Sequence, residues 1–256
     1  MPRQKNITYT NELTDEFSYA KIKTKYIGKD YVYYRDSAFS KFSHFLWYRI
    51  IMTPIAYAYL KLKFRHRIIN GEILESNKDQ AFFLYGNHTQ SIADAFIPTF
   101  VAMPKHCYCI VHPNNVSIPV LGKITPSLGA LPLPSDLPAM RNFLNAIKKR
   151  VQENNAIVIY PEAHIWPYST TIRPFPDDSF HYPVITDKPV YCFTNTYQKG
   201  SFGKVVIVTY VDGPFYPDKD LNKKDAMKKL RDQVYEAMTR EARKNTVEVI
   251  HYERKS

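Results

Sequence analysis

Short runs of apolar residues recur along the chain and predict the strands of a buried sheet. Each run is rich in aromatic or β-branched residues and is bounded by polar residues, glycine or proline, a pattern that favours a strand over a helix. The run before Gly86 leads directly into a segment that changes from polar to apolar. The predicted strands cover residues 81–85, 107–111, 156–160, 190–194 and 204–210.

Between these strands, apolar positions recur at helical spacing. Helices are predicted at about 91–101, 137–151 and 225–243. Strands that alternate with helices indicate the α/β class, so we predict a single α/β domain over residues 68–256, with a mixed sheet flanked by helices. The clearest helical spacing is that of Met140, Phe143, Leu144, Ile147 and Val151.

Residues 38–64 are almost entirely apolar or aromatic and are followed by a basic flank. Arg49 and Pro54 interrupt this character, which disfavours a full membrane span. Aromatic rings beside a basic flank are typical of helices that lie in the surface of an anionic membrane. We therefore predict that residues 38–67 form an apolar N-terminal helical segment in contact with a membrane; the alternative is a helical hairpin packed on the domain core. The polar residues 1–37 lack periodicity and predict a loosely structured lead.

The composition is that of a globular chain with a strong surplus of positive charge. Its 256 residues can bury one sizeable core, and the formal net charge is +11. Such a surplus favours an anionic partner, which can be a nucleic acid, an anionic membrane or a phosphorylated substrate. No recognition-helix or RNA-binding aromatic pattern occurs, so we expect no nucleic-acid partner. The odd number of cysteines, without zinc or redox spacing, predicts free thiols.

A histidine and an aspartate follow the strand predicted at 81–85, where open α/β sheets place their reactive groups. His88 can act as a general base near neutral pH. A carboxylate such as Asp94 on its far ring nitrogen would fix the tautomer and stabilise the imidazolium. On its own, such a pair also arises by chance in a chain of this length. The other histidines lack the tight spacing of metal ligands, so no metal site is expected.

Four short motifs in a fixed order extend this pattern. Their order and spacing resemble those of the glycerolipid acyltransferases of the lysophosphatidate type. The resemblance runs from about Ile68 to the terminal helix, which is most of the chain, and the order of all four motifs is more specific than any one of them. The motifs are Asn87-His88 with Asp94, Gly129-Ala130-Leu131-Pro132-Leu133, Tyr160-Pro161-Glu162-Ala163-His164-Ile165, and Lys188-Pro189-Val190-Tyr191-Cys192-Phe193.

The chain departs from the family pattern in two places. Five residues separate His88 from Asp94, where the family has four. Because one extra residue rotates a regular helix by about 100°, a non-helical turn or a bulge must bring the two side chains together. The third motif has His164-Ile165 where family members hold the acceptor phosphate with Thr-Arg. Either Arg173 replaces that arginine, or the acceptor differs.

The resemblance implies an O-acyltransferase that moves a fatty acyl group from a thioester donor, acyl-CoA or acyl carrier protein, to a hydroxyl group of a glycerolipid such as lysophosphatidate. His88 would act as the general base and Asp94 would orient it, without an acyl-enzyme and without a cofactor beyond the co-substrate. Backbone amides near the His88 and Gly129 turns would stabilise the oxyanion. An anionic membrane is the expected partner, with a peripheral or monotopic location on its cytoplasmic face. The alternative is a non-catalytic lipid-binding protein of the same fold at a membrane surface.

The same resemblance assigns further residues to substrate binding. Leu131 lies in a segment that is expected to line an acyl tunnel. Glu162 is expected to position substrate, with a structural hydrogen-bonding role as the alternative, and His164 is either a second base or a structural residue. Arg173 is either a phosphate ligand or a solvated surface arginine. The full set of substrate-binding candidates is Asn87, Gly129, Leu131, Glu162, His164 and Arg173.

Overall fold

The computed structural model describes residues 5–17, 23–34, 37–119 and 121–255. The helices are α1 (Ala38–Phe45), α2 (Thr53–Phe64), α3 (Ala93–Val101), α4 (Leu121–Ile124), α5 (Leu137–Gln152), α6 (His181–Thr186) and α7 (Lys223–Ala242), with a π-helical segment, Leu46–Met52, between α1 and α2. The strands are β1 (Lys5–Tyr9), β2 (Arg67–Ile69), β3 (Phe82–Gly86), β4 (Cys107–Val111), β5 (Ala130–Pro132), β6 (Ala156–Ile159), β7 (Val190–Lys199), β8 (Val205–Phe215) and β9 (Ile250–Arg254).

A seven-stranded mixed sheet forms the centre of the fold, in the order β2-β8-β7-β3-β6-β4-β5. Neighbouring strands are parallel except β7 and β8, which form an antiparallel pair. The predicted mixed sheet flanked by helices is therefore confirmed, and each predicted strand is present within a few residues. The two strands of the antiparallel pair extend well beyond the apolar runs that indicated them. Because β3 is central and parallel to both neighbours, its carboxyl end lies beside the carboxyl end of β6.

Helices cover both faces of this sheet, which explains why its strands read as continuous apolar runs. On one face, α5 and α7 pack against a core that contains Phe83 and Tyr85. On the other face, α2 and α3 pack against a core that contains Phe82 and Leu84. Successive strand residues thus serve opposite cores, as the alternation of side chains along a strand requires.

The segment at 38–64 is helical, as predicted, and its side chains divide between two environments. Leu60 and Phe64 are buried in the core beneath α3, and the Tyr48 hydroxyl accepts a hydrogen bond from the Cys107 amide. These are contacts of a segment packed on the domain core, whereas contact with a membrane stays a prediction. In the described part of the chain, no helix is both long and apolar enough to cross a bilayer. The exposed apolar side chains of the segment are Phe39, Phe42, Phe45, Ile50, Ile55, Tyr57 and Leu62.

Residues 5–17 are more ordered than their polar composition predicted. Strand β1 pairs in parallel with β9 from the far end of the chain, and the Trp166 ring packs against Tyr9, Phe17 and Tyr252. The expectation of a loosely structured lead is therefore wrong for this part, because its partners are distant in sequence and leave no local periodicity. That expectation also covered residues that lie outside the described ones, namely 1–4, 18–22 and 35–36.

Candidate active site

The side chains of His88 and Asp94 meet at the carboxyl end of the central strand β3. The strand ends at Gly86 and α3 begins at Ala93, so the residues between the two side chains form a turn rather than a helix. His88 Nδ1 and Asp94 Oδ2 are 2.9 Å apart. A side chain at Gly86 is excluded, because its Cβ would meet the Phe193 ring at 2.1 Å. The extra residue in the His-Asp spacing is accommodated by the turn, as the sequence required.

The Asp94 carboxylate lies at the centre of this turn. Its Oδ2 also accepts hydrogen bonds from the backbone amides of Thr89 at 2.8 Å and Gln90 at 2.7 Å, and its Oδ1 accepts one from Asn195 Nδ2 at 3.2 Å. Burial raises the pKa of the Asp94 carboxyl, while His88 and the two backbone amides act in the opposite direction. The two backbone amides and the Asn195 NH₂ group are donors, so the group serves as an acceptor, and we assign the proton of the His88–Asp94 contact to His88 Nδ1.

This tautomer leaves the second ring nitrogen of His88 free for chemistry. When Nδ1 of a neutral imidazole donates, Nε2 is the acceptor, and no hydrogen bond from the described residues occupies it. The ring is stacked on Tyr160 with the centroids 4.5 Å apart, and the side chain is 19% exposed. The arrangement is that of a general base oriented by a carboxylate and partly accessible to a ligand.

Tyr160 also replaces a missing backbone hydrogen bond in α3. The Asp94 carbonyl would accept a helical hydrogen bond from the residue four positions on, but that residue is Pro98, which has no N–H. The Tyr160 hydroxyl donates to this carbonyl instead. Tyr160 therefore contacts both the imidazole ring and the backbone of the residue that orients it.

Glu162 supports the pair from the loop that follows β6. Its Oε2 accepts a hydrogen bond from the His88 amide at 3.0 Å, and its Oε1 accepts one from the Arg173 amide at 2.9 Å. The Arg173 guanidinium forms an ion pair with Oε2 at 3.3 Å. Glu162 is buried and both of its oxygens are used by protein donors. Its contacts are those of the structural role that the sequence left open.

Arg173 is paired inside the protein, which is neither of the two surroundings that the sequence suggested. It is buried rather than exposed. Besides its pairing with Glu162, its guanidinium donates to the carbonyls of Glu12 and His164 and packs over the Trp166 ring, 4.8 Å from the ring centroid. These contacts use the two terminal nitrogens, whereas the buried Nε has no hydrogen-bond partner among the described residues. A phosphate-binding role for Arg173 stays a prediction, as does the alternative that the acceptor differs.

The end of the third motif faces the N-terminal segment. His164 Nδ1 lies 3.3 Å from Glu16 Oε2, and the Ile165 amide donates to the same carboxylate at 3.2 Å. The imidazole of His164 is thus placed against Glu16 rather than against Asp94. Its role as a second base or as a substrate ligand stays a prediction.

Asn87 joins the end of β3 to β7. Its Nδ2 donates to the Asn195 carbonyl at 3.0 Å, and its Oδ1 accepts from the Asn195 amide at 2.8 Å. The side chain is buried, and both of its polar ends are used by backbone groups. These contacts hold β7 beside the turn, and a substrate-binding role for Asn87 stays a prediction.

Gly129 and Leu131 lie away from the pair. Strand β5 is at the edge of the sheet, three strands from β3, which corresponds to about 14 Å at the usual strand spacing. Gly129 has a φ of 92°, and a Cβ there would meet the Cys107 carbonyl oxygen at 2.2 Å. Its amide donates to the Pro126 carbonyl at 3.3 Å, and Leu131 is buried in the core beneath α5. The structure therefore does not bring the Gly129 amide to an oxyanion beside His88.

Three amides at the start of the turn are engaged as well. The His88 amide donates to Glu162, and the next two amides donate to Asp94. The expected oxyanion donors are therefore not among these groups. In the described residues, no group of three or more His, Cys, Asp or Glu side chains could hold a metal ion.

Two groups that support the pair, the Tyr160 hydroxyl and the Asn195 side chain, were not predicted from the sequence. Asn195 lies in a polar triplet, Thr194-Asn195-Thr196, inside the otherwise largely apolar first part of β7. Because buried polar side chains need hydrogen-bond partners, such a triplet signals a polar site next to the strand. The Tyr160 hydroxyl had a signal too, since Pro98 inside a predicted helix leaves one carbonyl without its helical donor.

Residues 67–195, about half of the chain, match the model of the protein family described as Acyltransferase. The chain belongs to this acyltransferase family. The matched region begins at β2, contains His88, Asp94 and Glu162, and ends at Asn195.

Among solved structures, the fold is similar to the crystal structure of the 1-acyl-sn-glycerophosphate (LPA) acyltransferase PlsC from Thermotoga maritima. The TM-score is 0.53 and the sequence identity is 18%, over 80% of this chain and 78% of PlsC. At this identity the similarity shows a common fold. Among curated proteins, no significant match is found.

Proposed function

We propose that this acyltransferase moves a fatty acyl group from a thioester donor to a hydroxyl group of a glycerolipid acceptor. The observation that carries the proposal is the 2.9 Å contact between His88 Nδ1 and Asp94 Oδ2, which leaves Nε2 as the acceptor of a substrate proton. Membership of the acyltransferase family supports the reaction type. The name of PlsC supports 1-acyl-sn-glycerophosphate as the model for the acceptor.

In the proposed reaction, His88 Nε2 removes the proton from the acceptor hydroxyl while the oxygen attacks the thioester carbonyl. A C–O bond forms, the C–S bond breaks, and the imidazolium returns the proton to the departing thiolate. Asp94 stabilises the imidazolium between these steps. No acyl-enzyme is required, because the donor, acyl-CoA or acyl carrier protein, already carries an activated acyl group.

The proposed acceptor is a lysophosphatidate-like lipid. The net charge of +11 favours an anionic acceptor. The chain has His164-Ile165 where the motif it resembles has the phosphate-binding Thr-Arg, and the nearby Arg173 is buried and paired with Glu162. Acceptors with and without phosphate therefore belong in the same assay.

The proposed place of the reaction is an anionic membrane surface on the cytoplasmic side, with the protein peripheral or monotopic. Phe39 and Leu62 of the N-terminal helical segment are 80% and 81% exposed. The exposed Lys41 and Lys61 lie next to exposed apolar residues along the same segment. Apolar rings and cations on one exposed segment favour burial in the headgroup region of anionic lipid.

The experiment measures thiol release from acyl-CoA and from acyl carrier protein, with lysophosphatidate or a monoacylglycerol as acceptor in detergent micelles. We expect His88→Ala to lower kcat by about 10³-fold, which is within the range for loss of a general base, with the fold intact by circular dichroism. The matched control is His251→Ala. His251 pairs with Glu248 at 3.0 Å, but both side chains are exposed near the end of the chain, so kcat should stay unchanged.

Two outcomes would count against the proposal. Acceptor-dependent release that His88→Ala leaves unchanged would overturn the assignment of the base. No release with any donor and acceptor, together with equal binding of wild type and His88→Ala to anionic vesicles, would favour the non-catalytic lipid-binding protein. The engaged amides of Thr89 and Gln90 are the observation that favours this alternative, because they leave the oxyanion donor unassigned.

A further inference from the structure

A polar pair lies inside the apolar layer beneath α2. Asn195 of β7 and Thr209 of β8 are opposite each other in the antiparallel pair, and both are fully buried. Their neighbours two residues along each strand, such as Phe193 and Val211, belong to the apolar core on that face. Buried polar side chains in such surroundings are costly unless every group is hydrogen-bonded.

The pair belongs to a continuous row of hydrogen bonds that ends at Asp94. Asn195 Nδ2 donates to Asp94 Oδ1 at 3.2 Å. The Thr209 hydroxyl donates to Asn195 Oδ1 at 2.7 Å. His66 Nε2 lies 2.8 Å from the same hydroxyl oxygen. The row therefore runs from His66 through Thr209 and Asn195 to the carboxylate that orients His88.

Chemistry fixes the direction of every hydrogen in this row. A carboxylate accepts, so the Asn195 amide must turn its NH₂ group toward Asp94 and its oxygen toward Thr209. The Thr209 hydroxyl then donates its only hydrogen to that oxygen, so toward His66 it can only accept. His66 Nε2 must therefore carry a proton. All the donors point toward Asp94.

His66 is held at the far end of the row by the last turn of α2. Its amide donates to the Leu60 carbonyl at 3.2 Å, and Lys61 Nζ donates to its carbonyl at 2.7 Å. The residue before it, Arg65, ends the helix in the left-handed conformation with a φ of 47°. Burial lowers the pKa of the His66 imidazole to about 4, so at neutral pH it carries one N–H and presents it to Thr209.

We propose that His66, Thr209 and Asn195 act as positioning residues for the reaction, by fixing the Asp94 carboxylate so that Oδ2 faces His88. The proposal rests on the proposed function, in which His88 is the base. His66 fixes the rotation of the Thr209 hydroxyl, the hydroxyl fixes the orientation of the Asn195 amide, and the amide occupies Oδ1. Without the row, the carboxylate gains an alternative orientation, and fewer molecules hold His88 in the productive tautomer and position.

The test compares three variants of the β7–β8 pair. Thr209→Val removes the central hydroxyl at nearly constant shape, and Thr209→Ser restores a hydroxyl. Thr194→Val is the matched control, because Thr194 is equally buried on the neighbouring strand but its hydroxyl has no hydrogen-bond partner among the described residues. Each variant is assayed for kcat, for KM of donor and acceptor, and for the ¹H resonance of the His88 Nδ1 proton, which is identified by its loss in His88→Ala.

We expect Thr209→Val to lower kcat by roughly tenfold, as is common for partners that orient a functional group, with both KM values unchanged. The His88 Nδ1 proton resonance should shift or broaden. Thr209→Ser should recover most of the rate, and Thr194→Val should match wild type in rate and spectrum. If Thr209→Val does not fold, His66→Phe removes the terminal N–H donor of the row, keeps an aromatic ring, and should give the same signature.

The outcomes separate this proposal from the proposed function. If the folded Thr209→Val keeps the wild-type kcat and the wild-type His88 resonance, or changes KM instead of kcat, the positioning row is overturned while acyl transfer stands. If wild type transfers no acyl group, the proposed function fails. The resonance of the His88 Nδ1 proton then tests by itself whether the row orients Asp94. A resonance that responds to Thr209→Val but not to Thr194→Val supports it, and an unresponsive resonance overturns it.

Discussion

Two loops meet beside the central strand, and they use similar residues in opposite ways. In the dyad loop, residues 87–94, hydrogen-bond donors converge on Asp94 and leave one ring nitrogen of His88 free. In the buttress loop, residues 161–173, a carboxylate and a guanidinium pair with each other and with backbone groups. The first loop presents its chemistry to a ligand, whereas the second uses its charges to hold the protein together.

The buttress loop holds the dyad loop by its backbone. The amides of Trp166 and Tyr168 donate to the carbonyls of His88 and Thr89 at 3.1 and 3.0 Å. Glu162 accepts from the His88 amide on the other side. A loop that is fixed through its backbone keeps its side chains free for a substrate. We therefore expect changes in the dyad loop to affect rate more than stability, and changes in the buttress loop to affect stability more than rate.

The largest effect is expected for Arg173→Met in the buttress loop. The side chains of Arg173 and Glu162 are 2% and 1% exposed, so water cannot replace the lost partner. Loss of one member of a buried ion pair costs about 3–5 kcal/mol, and the free energy of unfolding, measured with urea, should fall by that amount. The rate per folded molecule, measured at low temperature, should change much less.

An exposed ion pair provides the control for this prediction. Lys219 and Asp187 are 2.7 Å apart, but their side chains are 75% and 60% exposed, and such pairs contribute little to stability. Lys219→Met should therefore unfold like wild type. If Arg173→Met keeps full stability and instead raises KM for a phosphate-bearing acceptor, Arg173 is a substrate ligand and the contrast between the loops is lost.

The contacts of the dyad loop could be predicted from the sequence and those of the buttress loop could not, for a physical reason. His88 and Asp94 lie on either side of one turn after a recognisable strand, so residue type and local order were enough to bring them together. The partners of Arg173 are not local, since one of them is the Glu12 carbonyl from the N-terminal segment. A charge whose partners are distant in sequence reads only as a free charge, which is how Arg173 came to be expected on a phosphate or in solvent.

The distinction between local patterns and partners that are distant in sequence also holds for the fold. Strands that are covered on both faces give continuous apolar runs, and those strands were predicted. The three-residue edge strands β2 and β5 were not predicted. The polar strands β1 and β9 were missed too, because each is stabilised by pairing with the other across the whole chain. The placement of Asn195 opposite Thr209 depends on the register of β7 and β8, which an apolar pattern does not specify in a strand that is buried on both faces.

The supports behind the two loops also respond differently to acid. The dyad loop is supported by the neutral His66, whose pKa burial lowers to about 4, whereas the pKa in an unfolded chain is about 6.5. Between these values the unfolded chain binds a proton that the folded chain does not. The contribution of His66 to the free energy of unfolding is therefore fully present above pH 6.5 and is lost as the pH is lowered toward 4. This loss amounts to about 3 kcal/mol.

The measurement is the free energy of urea unfolding between pH 7 and pH 4, for wild type and His66→Gln. Glutamine keeps an N–H group for Thr209 but does not titrate, so the curve of this variant should be flatter by the contribution of His66. All other groups titrate alike in both proteins, and the difference isolates one residue. Parallel curves would show that the folded protein binds the proton on His66 as readily as the unfolded chain does. The imidazole that supports the dyad loop would then not be held in its neutral form.

The smallest effect is expected at Tyr160, which contacts both partners of the dyad. Tyr160→Phe keeps the ring that is stacked on His88 but removes the hydroxyl that donates to the Asp94 carbonyl. Loss of one buried hydrogen bond costs about 1 kcal/mol of unfolding free energy. The rate should fall by less than about tenfold, because the Asp94 side chain keeps all of its own donors.

Pro98→Ala tests the physical reason for that hydroxyl. Alanine restores an N–H group four residues after Asp94, so the carbonyl can form its ordinary helical hydrogen bond and no longer needs Tyr160. The double variant should therefore lose about 1 kcal/mol less stability than the sum of the two single variants. Additive losses would mean that the hydroxyl does not replace the missing helical bond. In that case Tyr160 would contribute packing of its ring on His88 rather than a hydrogen bond that replaces the helical one.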